Sequence, residues 1–195
     1  MNKHVTHTLS ILIPSLTNRK KMLDELLKSL EPQLVEGVEI CINIDNGKKS
    51  TGQKRNELIK GCNGEYIAFI DDDDKVSDDY IALVLEAVKT GIDVVGMHLL
   101  MTRKEIQSTE ERTYHSLKYK HWYDEPDPDR KGKRKYFRNP NHLNPVKREF
   151  ALQVGFPDKD HGEDHDYSKK LLPLLKTEFY IESPIYYYLA ERIGT

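Results

Sequence analysis

Residues 65–74 read EYIAFIDDDD, from Glu65 to Asp74: an apolar run, Tyr66 to Ile70, that stops on four consecutive aspartates. A short run of this kind predicts a buried strand, which places the aspartates at its carboxyl end. Adjacent carboxylates repel and raise one another's pKa, so something positive has to neutralise them. Divalent Mg²⁺ or Mn²⁺ is the natural candidate, since such hard ions take carboxylate oxygens and keep positions free for phosphate oxygens. The alternative at this point is that Asp74 caps the following helix while the others are solvated. A calcium loop of the EF-hand kind fits less well, because Lys75 and Ser77 break its pattern.

Working outward, Leu9 to Ile13 predicts a first strand ended by Pro14, after which Thr17-Asn18 offers a helix cap. Met22, Leu23, Leu26, Leu27 and Leu30 recur at helical spacing over Lys20 to Leu30, and Pro32 is the stop. Val38 to Ile44 predicts a second buried strand that delivers Asp45-Asn46-Gly47, and a helix over about Gln53 to Lys60 leads back to the Tyr66 strand. Beyond the aspartates, a helix from about Asp78 to Thr90 carries Ile81, Val84, Leu85 and Val88 inward, and Asp93 to Leu100 predicts a further strand. The order βαβαβαβ predicts an α/β fold with a mostly parallel sheet and helices on both faces, in which ligands lie beyond the strands' carboxyl ends. Ser15, Asp45 and the aspartate run all fall at such ends.

From Thr102 to Asn141 the pattern gives way to a long polar excursion. It is acidic at Asp124, Glu125, Asp127 and Asp129, then basic at Arg130, Lys131, Lys133, Arg134, Lys135 and Arg138. A helix near Val146 to Val154 follows. Gly162-Glu163-Asp164 opens another helix, with Tyr167, Leu171 and Leu172 as its apolar positions. Strands at Phe179 to Ile181 and Ile185 to Leu189 close the chain.

A chain of 195 residues suits one domain. A net charge of -2 gives no global attraction to nucleic acid or membranes. Cys41 and Cys62 lack the neighbours of a zinc or redox motif and are expected as buried free thiols. No apolar run reaches the length of a membrane span, and Met1 to Thr8 lacks the apolar centre of a signal peptide, so a soluble, cytoplasmic protein is expected.

Two further constellations carry chemistry. Asp45 with Gly47, Gly52, Lys54, Arg55 and Asn56 suits a nucleotide: an aspartate accepts from the ring N–H of a uracil-like base, and an arginine bonds base carbonyls or balances a diphosphate. A polar loop with an exposed helical face is the plain alternative. His161-Gly162-Glu163-Asp164-His165-Asp166 puts carboxylates at a helix N-terminus, where the dipole keeps them ionised, as a general base requires. Simple capping of the helix is the plain alternative there.

Four segments, Ile11-Leu12-Ile13-Pro14-Ser15 with Asn18-Arg19, GQKRN (Gly52 to Asn56), EYIAFIDDDD and GEDHDYSKKL (Gly162 to Leu171), together resemble the family 2 glycosyltransferases of the GT-A fold, over nearly the whole length. The resemblance implies a single GT-A-type domain, with residues 1–101 as the nucleotide-sugar half and residues 102–195 as the acceptor and catalytic half. It implies Asp45 and Arg55 as the base-recognition pair and the Pro14-Ser15 turn against the nucleoside, with Arg19, Lys54 and Asp72 among the donor-binding residues. Asp71 and Asp73 match the ends of the family's Asp-X-Asp motif, Asp73 as direct ligand of Mn²⁺ or Mg²⁺ and Asp71 touching ribose or metal. His142 would close the metal site from the second half. Asp164 matches the catalytic base of inverting members, Glu163 shapes the acceptor pocket, and Tyr167 takes the place of an aromatic that follows.

The implied reaction moves a sugar from a nucleoside-diphosphate sugar, with UDP favoured, to an acceptor hydroxyl of unknown identity. One rival is a metal-dependent nucleotidyltransferase or nuclease, against which the glycine-free Pro14 to Lys20 loop counts. The other is a nucleic-acid-binding module using the basic 130–138 stretch with Tyr136 and Phe137 interleaved.

Overall fold

The structure is a computed structural model and describes residues 7–103 and 110–190. Residues 1–6 of the N-terminal segment read for a signal peptide, and residues 104–109 of the excursion, lie outside the described residues.

The first half runs β1 (Leu9–Leu16), α1 (Lys20–Leu30), β2 (Val38–Asp45), α2 (Thr51–Gly61), β3 (Tyr66–Phe69), the two-residue β4 (Lys75–Val76), α3 (Tyr80–Val88) and β5 (Val94–Arg103). The second half adds β6 (Glu110–His115), β7 (Tyr123–Pro126), β8 (Arg134–Arg138), β9 (Val146–Lys147), α4 (Arg148–Val154), α5 (Glu163–Leu171) and β10 (Glu178–Ala190). The strands join one sheet in the order β2-β1-β3-β9-β5-β6-β8-β7, with β10 paired to β5 and β4. Pairings β1/β2, β1/β3, β5/β10 and β6/β8 are parallel. One apolar cluster packs β1 against α1 and α3, and a second packs the other face against α2, α4 and α5. The expected mixed α/β sheet with helices on both faces is what forms.

Several local expectations are corrected. Pro14 lies within β1 rather than ending it, because pairing with β3 stops at Leu12 and a proline beyond that point owes the ladder no N–H on that side. Thr17 and Asn18 form a 3-10 turn and give α1 no side-chain cap. Met22 faces solvent, while Leu23, Leu26 and Leu30 carry the buried face of α1. β2 is not buried but the sheet's edge, with Ile42 39% and Ile44 48% exposed.

Val146 and Lys147 belong to no helix: they form β9, wedged antiparallel between β3 and β5. The two closing strands are one, β10, irregular around Pro184. The excursion contains three strands, β6, β7 and β8, and their alternation explains why it reads as a loop. Leu99, Met101, Thr113, His115, Tyr136 and Arg138 face a cavity. On the other face His98, Tyr114, Phe137 and Tyr123 stack across the strands at centroid distances of 4.7, 5.5 and 4.7 Å. Neither face of β6–β8 is aliphatic, so the two-residue period carries no ordinary hydrophobic signal.

The N-terminus of α2 ties the two halves together. Ser50 and Gln53 form a capping box, and both also bond Asp158. Thr51 N donates to Asp160, and Asn56 clamps Phe156 through its carbonyl and its N–H, each at 2.8 Å. Gly52 donates its N–H to the Lys159 carbonyl, and a Cβ there would lie 1.9 Å from the Pro157 carbonyl oxygen. Both thiols are free, Cys62 buried and Cys41 half-buried. Among the described residues no helix is long and apolar enough to cross a membrane. Gly52→Ala is expected to lower stability by about 1–3 kcal/mol through overpacking, despite the better helix propensity of alanine. Denaturant unfolding of the variant against the parent checks this.

Candidate active site

The carboxyl end of β3, the start of α2 and the start of α5 converge on one guanidinium. Arg55, 2% exposed, donates from Nη2 to both oxygens of Asp71 (2.9 and 3.1 Å) and from Nη1 to Glu163 (2.5 Å). The rings of Phe69 and Phe156 flank it at 5.7 and 5.5 Å. Burial opposes the charge of Arg55, but Asp71 and Glu163 outweigh it and raise the pKa. Burial likewise works against ionised Asp71, and Arg55 with His142 reverses it, holding this carboxyl far below the usual carboxylate range.

The four aspartates have four different sets of partners. Asp71 also meets His142 Nε2 at 3.4 Å. Asp72 accepts from the Ser15 hydroxyl at 2.6 Å and pairs with Arg19 at 2.9 Å; its burial nevertheless raises its pKa. Asp73 pairs with the same guanidinium at 2.6 Å. Asp74 caps no helix. It is buried, and accepts from the Tyr186 hydroxyl (2.7 Å) and the Leu189 N–H (2.9 Å).

Asp45 and Arg55 are not brought together. Asp45 instead meets Lys54 Nζ at 3.2 Å and accepts from Lys49 N, and these contacts, led by the Lys49 bond, hold its carboxyl down to about 2. Lys54 is buried and also donates to the Ser15 carbonyl. Asp164, whose side chain reaches solvent, stands 3.9 Å from His142 Nδ1, so His142 lies between Asp71 and Asp164. Tyr167 is away from the cleft, buried and stacked on Phe156 at 4.1 Å.

Two cavities meet here. The smaller, about 340 Å³, is lined by Pro14, Ser15, Leu16, Arg19, Lys54 and Asp73 among others. The larger, about 500 Å³, holds Asp164 and His142 on one side and Trp122, Tyr136 and Arg138 on another. Arg55, Asp71, Asp160, His161, Glu163 and Tyr188 line both and form their junction.

Several of these residues carry no motif in the sequence. His115 is buried in the larger cavity's wall, pushed down to about 3 by burial, and its Nδ1 lies 2.9 Å from Asn144 Oδ1. Because that oxygen also accepts from Asn141 N while Asn144 Nδ2 donates to Val95 O, Nδ1 is the protonated nitrogen. Trp122, Tyr136, Arg138 and Tyr188 come from the excursion and the terminal aromatic run, where only their chemical type was a signal. Part of the basic 130–138 stretch is spent on acidic neighbours: Arg134 pairs with Asp124, and Lys135 lies 3.7 Å from both Asp127 and Asp129.

The family model described as glycosyl transferase family 2 matches residues 49–155, more than half of the chain. The chain belongs to glycosyl transferase family 2. No curated protein sequence matches it. Among solved structures, S. aureus TarS matches with a TM-score of 0.65 at 13% identity, covering 94% of this chain and 37% of that one. TarS 1-349 in complex with UDP matches at 0.67 and 14%, covering 94% of this chain, and its complex with UDP-GlcNAc at 0.63 and 15%, covering 96%. This chain spans 60% of each of those two. The likeness shows the fold, a GT-A glycosyltransferase sheet.

Removing Arg55 would leave two carboxylates facing each other without a counter-charge. Arg55→Ala is therefore expected to cost about 3–5 kcal/mol. Arg55→Lys would recover little of it, since an ammonium does not reproduce a fork that reaches Asp71 and Glu163 at once. Urea unfolding of both variants checks this.

Proposed function

We propose that this chain transfers a sugar from a nucleoside-diphosphate sugar, a UDP-sugar by preference, to an acceptor hydroxyl with inversion at the anomeric carbon. The observation that carries the reading is the meeting of two cavities at Arg55, Asp71 and Glu163, one lined by Ser15, Arg19 and Lys54 and the other by Asp164. Family membership supports it, as do the TarS complexes with UDP and UDP-GlcNAc. In this reading residues 1–101 supply most of the donor site and residues 102–195 the acceptor site and base.

The smaller cavity takes the nucleoside diphosphate, with the Pro14-Ser15 turn against the nucleoside. Asp45, kept ionised, accepts from the base, and Lys54 fixes that carboxylate. Arg55 acts as a positioning residue: its Nη1 and Nη2 are taken up by Glu163 and Asp71, which it presents to the junction. Glu163 shapes the acceptor side.

A divalent cation fits the donor set. Among the described residues no three His, Cys, Asp or Glu side chains form a ready-made metal cage. Mg²⁺ is characteristically held by one or two carboxylates plus substrate phosphates, so a cage is not required. Asp73 and Asp71 offer hard oxygens beside the diphosphate cavity, with His142 behind them. When bound, Mn²⁺ or Mg²⁺ would supply charge neutralisation for the departing diphosphate.

Asp164 takes the acceptor proton as the hydroxyl oxygen attacks the anomeric carbon and the bond to the diphosphate breaks. The carboxylate Oδ1 is steadied by the His165 N–H at 2.8 Å, and Oδ2 faces His142.

Asp164→Asn is expected to lower the transfer rate about 10²–10⁴-fold, with UDP affinity retained in calorimetry; an unchanged rate would remove Asp164 from the role of base. Asp73→Ala is expected to abolish the Mn²⁺-dependent part of UDP binding while leaving the metal-free part. Release of UDP rather than pyrophosphate from the sugar nucleotide separates this chemistry from nucleotidyl transfer.

A further inference from the structure

The wall of the larger cavity away from the donor site contains a cation that the mechanism does not use. Arg138 ends β8 and lines the 500 Å³ cavity with Trp122, Tyr136, His115 and Asp164, but it does not line the smaller cavity. Its Nη1 donates to the carbonyls of Tyr123 (2.8 Å) and Phe137 (3.0 Å). The guanidinium lies over the Trp122 ring at 5.0 Å and the Tyr136 ring at 5.2 Å, which fixes its plane.

Among the described residues, no carboxylate stands within ion-pair distance of Arg138, whereas Arg19, Arg55, Lys54, Arg112, Arg134 and Lys135 all have one. No hydrogen bond from its Nε or Nη2 to a described residue is formed either. That pair of N–H groups is the fork that receives a carboxylate or phosphate side-on. A half-buried cation held rigid with its fork open leaves part of its desolvation cost uncompensated until an anion arrives.

We infer that the larger cavity takes an acceptor that carries an anionic group, a phosphate or a carboxylate, seated on Arg138 while its reacting hydroxyl lies at Asp164. The inference rests on the glycosyl-transfer reading and deepens it. The anion belongs to the acceptor because Arg138 lies outside the cavity that holds the donor residues. Arg138 thereby sets the distance between the acceptor's charge and the hydroxyl that reacts, which makes it a determinant of acceptor choice.

The chain has one tryptophan, Trp122, so its fluorescence reports on this cavity alone. With UDP and Mn²⁺ present, glucose, glucose 6-phosphate and glucuronate are titrated at constant ionic strength. The expected result is binding of one or both anionic sugars at least about tenfold tighter than glucose; the better of the two identifies phosphate or carboxylate. The preference should be lost in Arg138→Gln and partly kept in Arg138→Lys, with UDP affinity unchanged in calorimetry. Equal affinities, no response to any of the sugars, or a preference that survives Arg138→Gln would each overturn the inference while UDP binding left the glycosyl-transfer reading standing. If UDP itself fails to bind the parent protein, that reading falls and the inference with it.

Discussion

The junction of the two cavities depends on one buried guanidinium. Arg55 sits between Phe69 and Phe156 and holds Asp71 at the end of the β3 segment and Glu163 at the start of α5. These carboxylates come from opposite halves of the chain, and without the cation between them their like charges would repel. An ion pair of this kind adds little net stability over an apolar filling. Its value is positional: it fixes where Asp71 and the first turn of α5, including Asp164, stand relative to each other.

The acidic run shows the same economy. Four like charges in sequence are tolerable because the chain gives each a counterpart, Arg19 serving both Asp72 and Asp73. Asp74 goes inward to Tyr186 and Leu189 N and anchors the run to β10. Asp72 goes to Ser15 and Arg19 and anchors it to the β1 turn. Asp71 is fixed by Arg55. With three so held, Asp73 is the member whose ion pair, to Arg19 on a partly exposed turn, can be exchanged most readily for another cation. The run thus offers one exchangeable carboxylate on a rigid frame of three.

The frame of the fold was legible in the sequence because it rests on periodicity. The bounds of α1, the strand running into the aspartates and the βαβ order all follow from apolar spacing. What was not legible depends on tertiary neighbours. β2 has the composition of a central strand yet lies at the edge, since no local feature reveals how many strands will flank it. β9 is two residues long and exists because β3 and β5 leave a gap for it. The GQKRN segment was readable as a site element, but Gly52 serves close approach to Pro157, Asn56 clamps Phe156, and Arg55 pairs with Asp71 and Glu163. Charge type in a sequence indicates that a partner is needed, not which one.

The excursion shows why this matters for specificity. As a loop it would present Trp122, Tyr136 and Arg138 in shifting positions, and any ligand of the larger cavity would have to order them at an entropic cost. As the β6-β8-β7 extension of the sheet, with an aromatic ladder on its far face, it holds those side chains on a surface in register with β5. β5 pairs with β9 and β9 with β3, so the wall of the larger cavity and the strand that leads into the aspartates are parts of one hydrogen-bonded sheet. The distance from Arg138 to Asp164 is therefore set by sheet register and the Arg55 lock together. Changes on the outward face of β8 can therefore shift Arg138 without replacing any residue that lines the cavity.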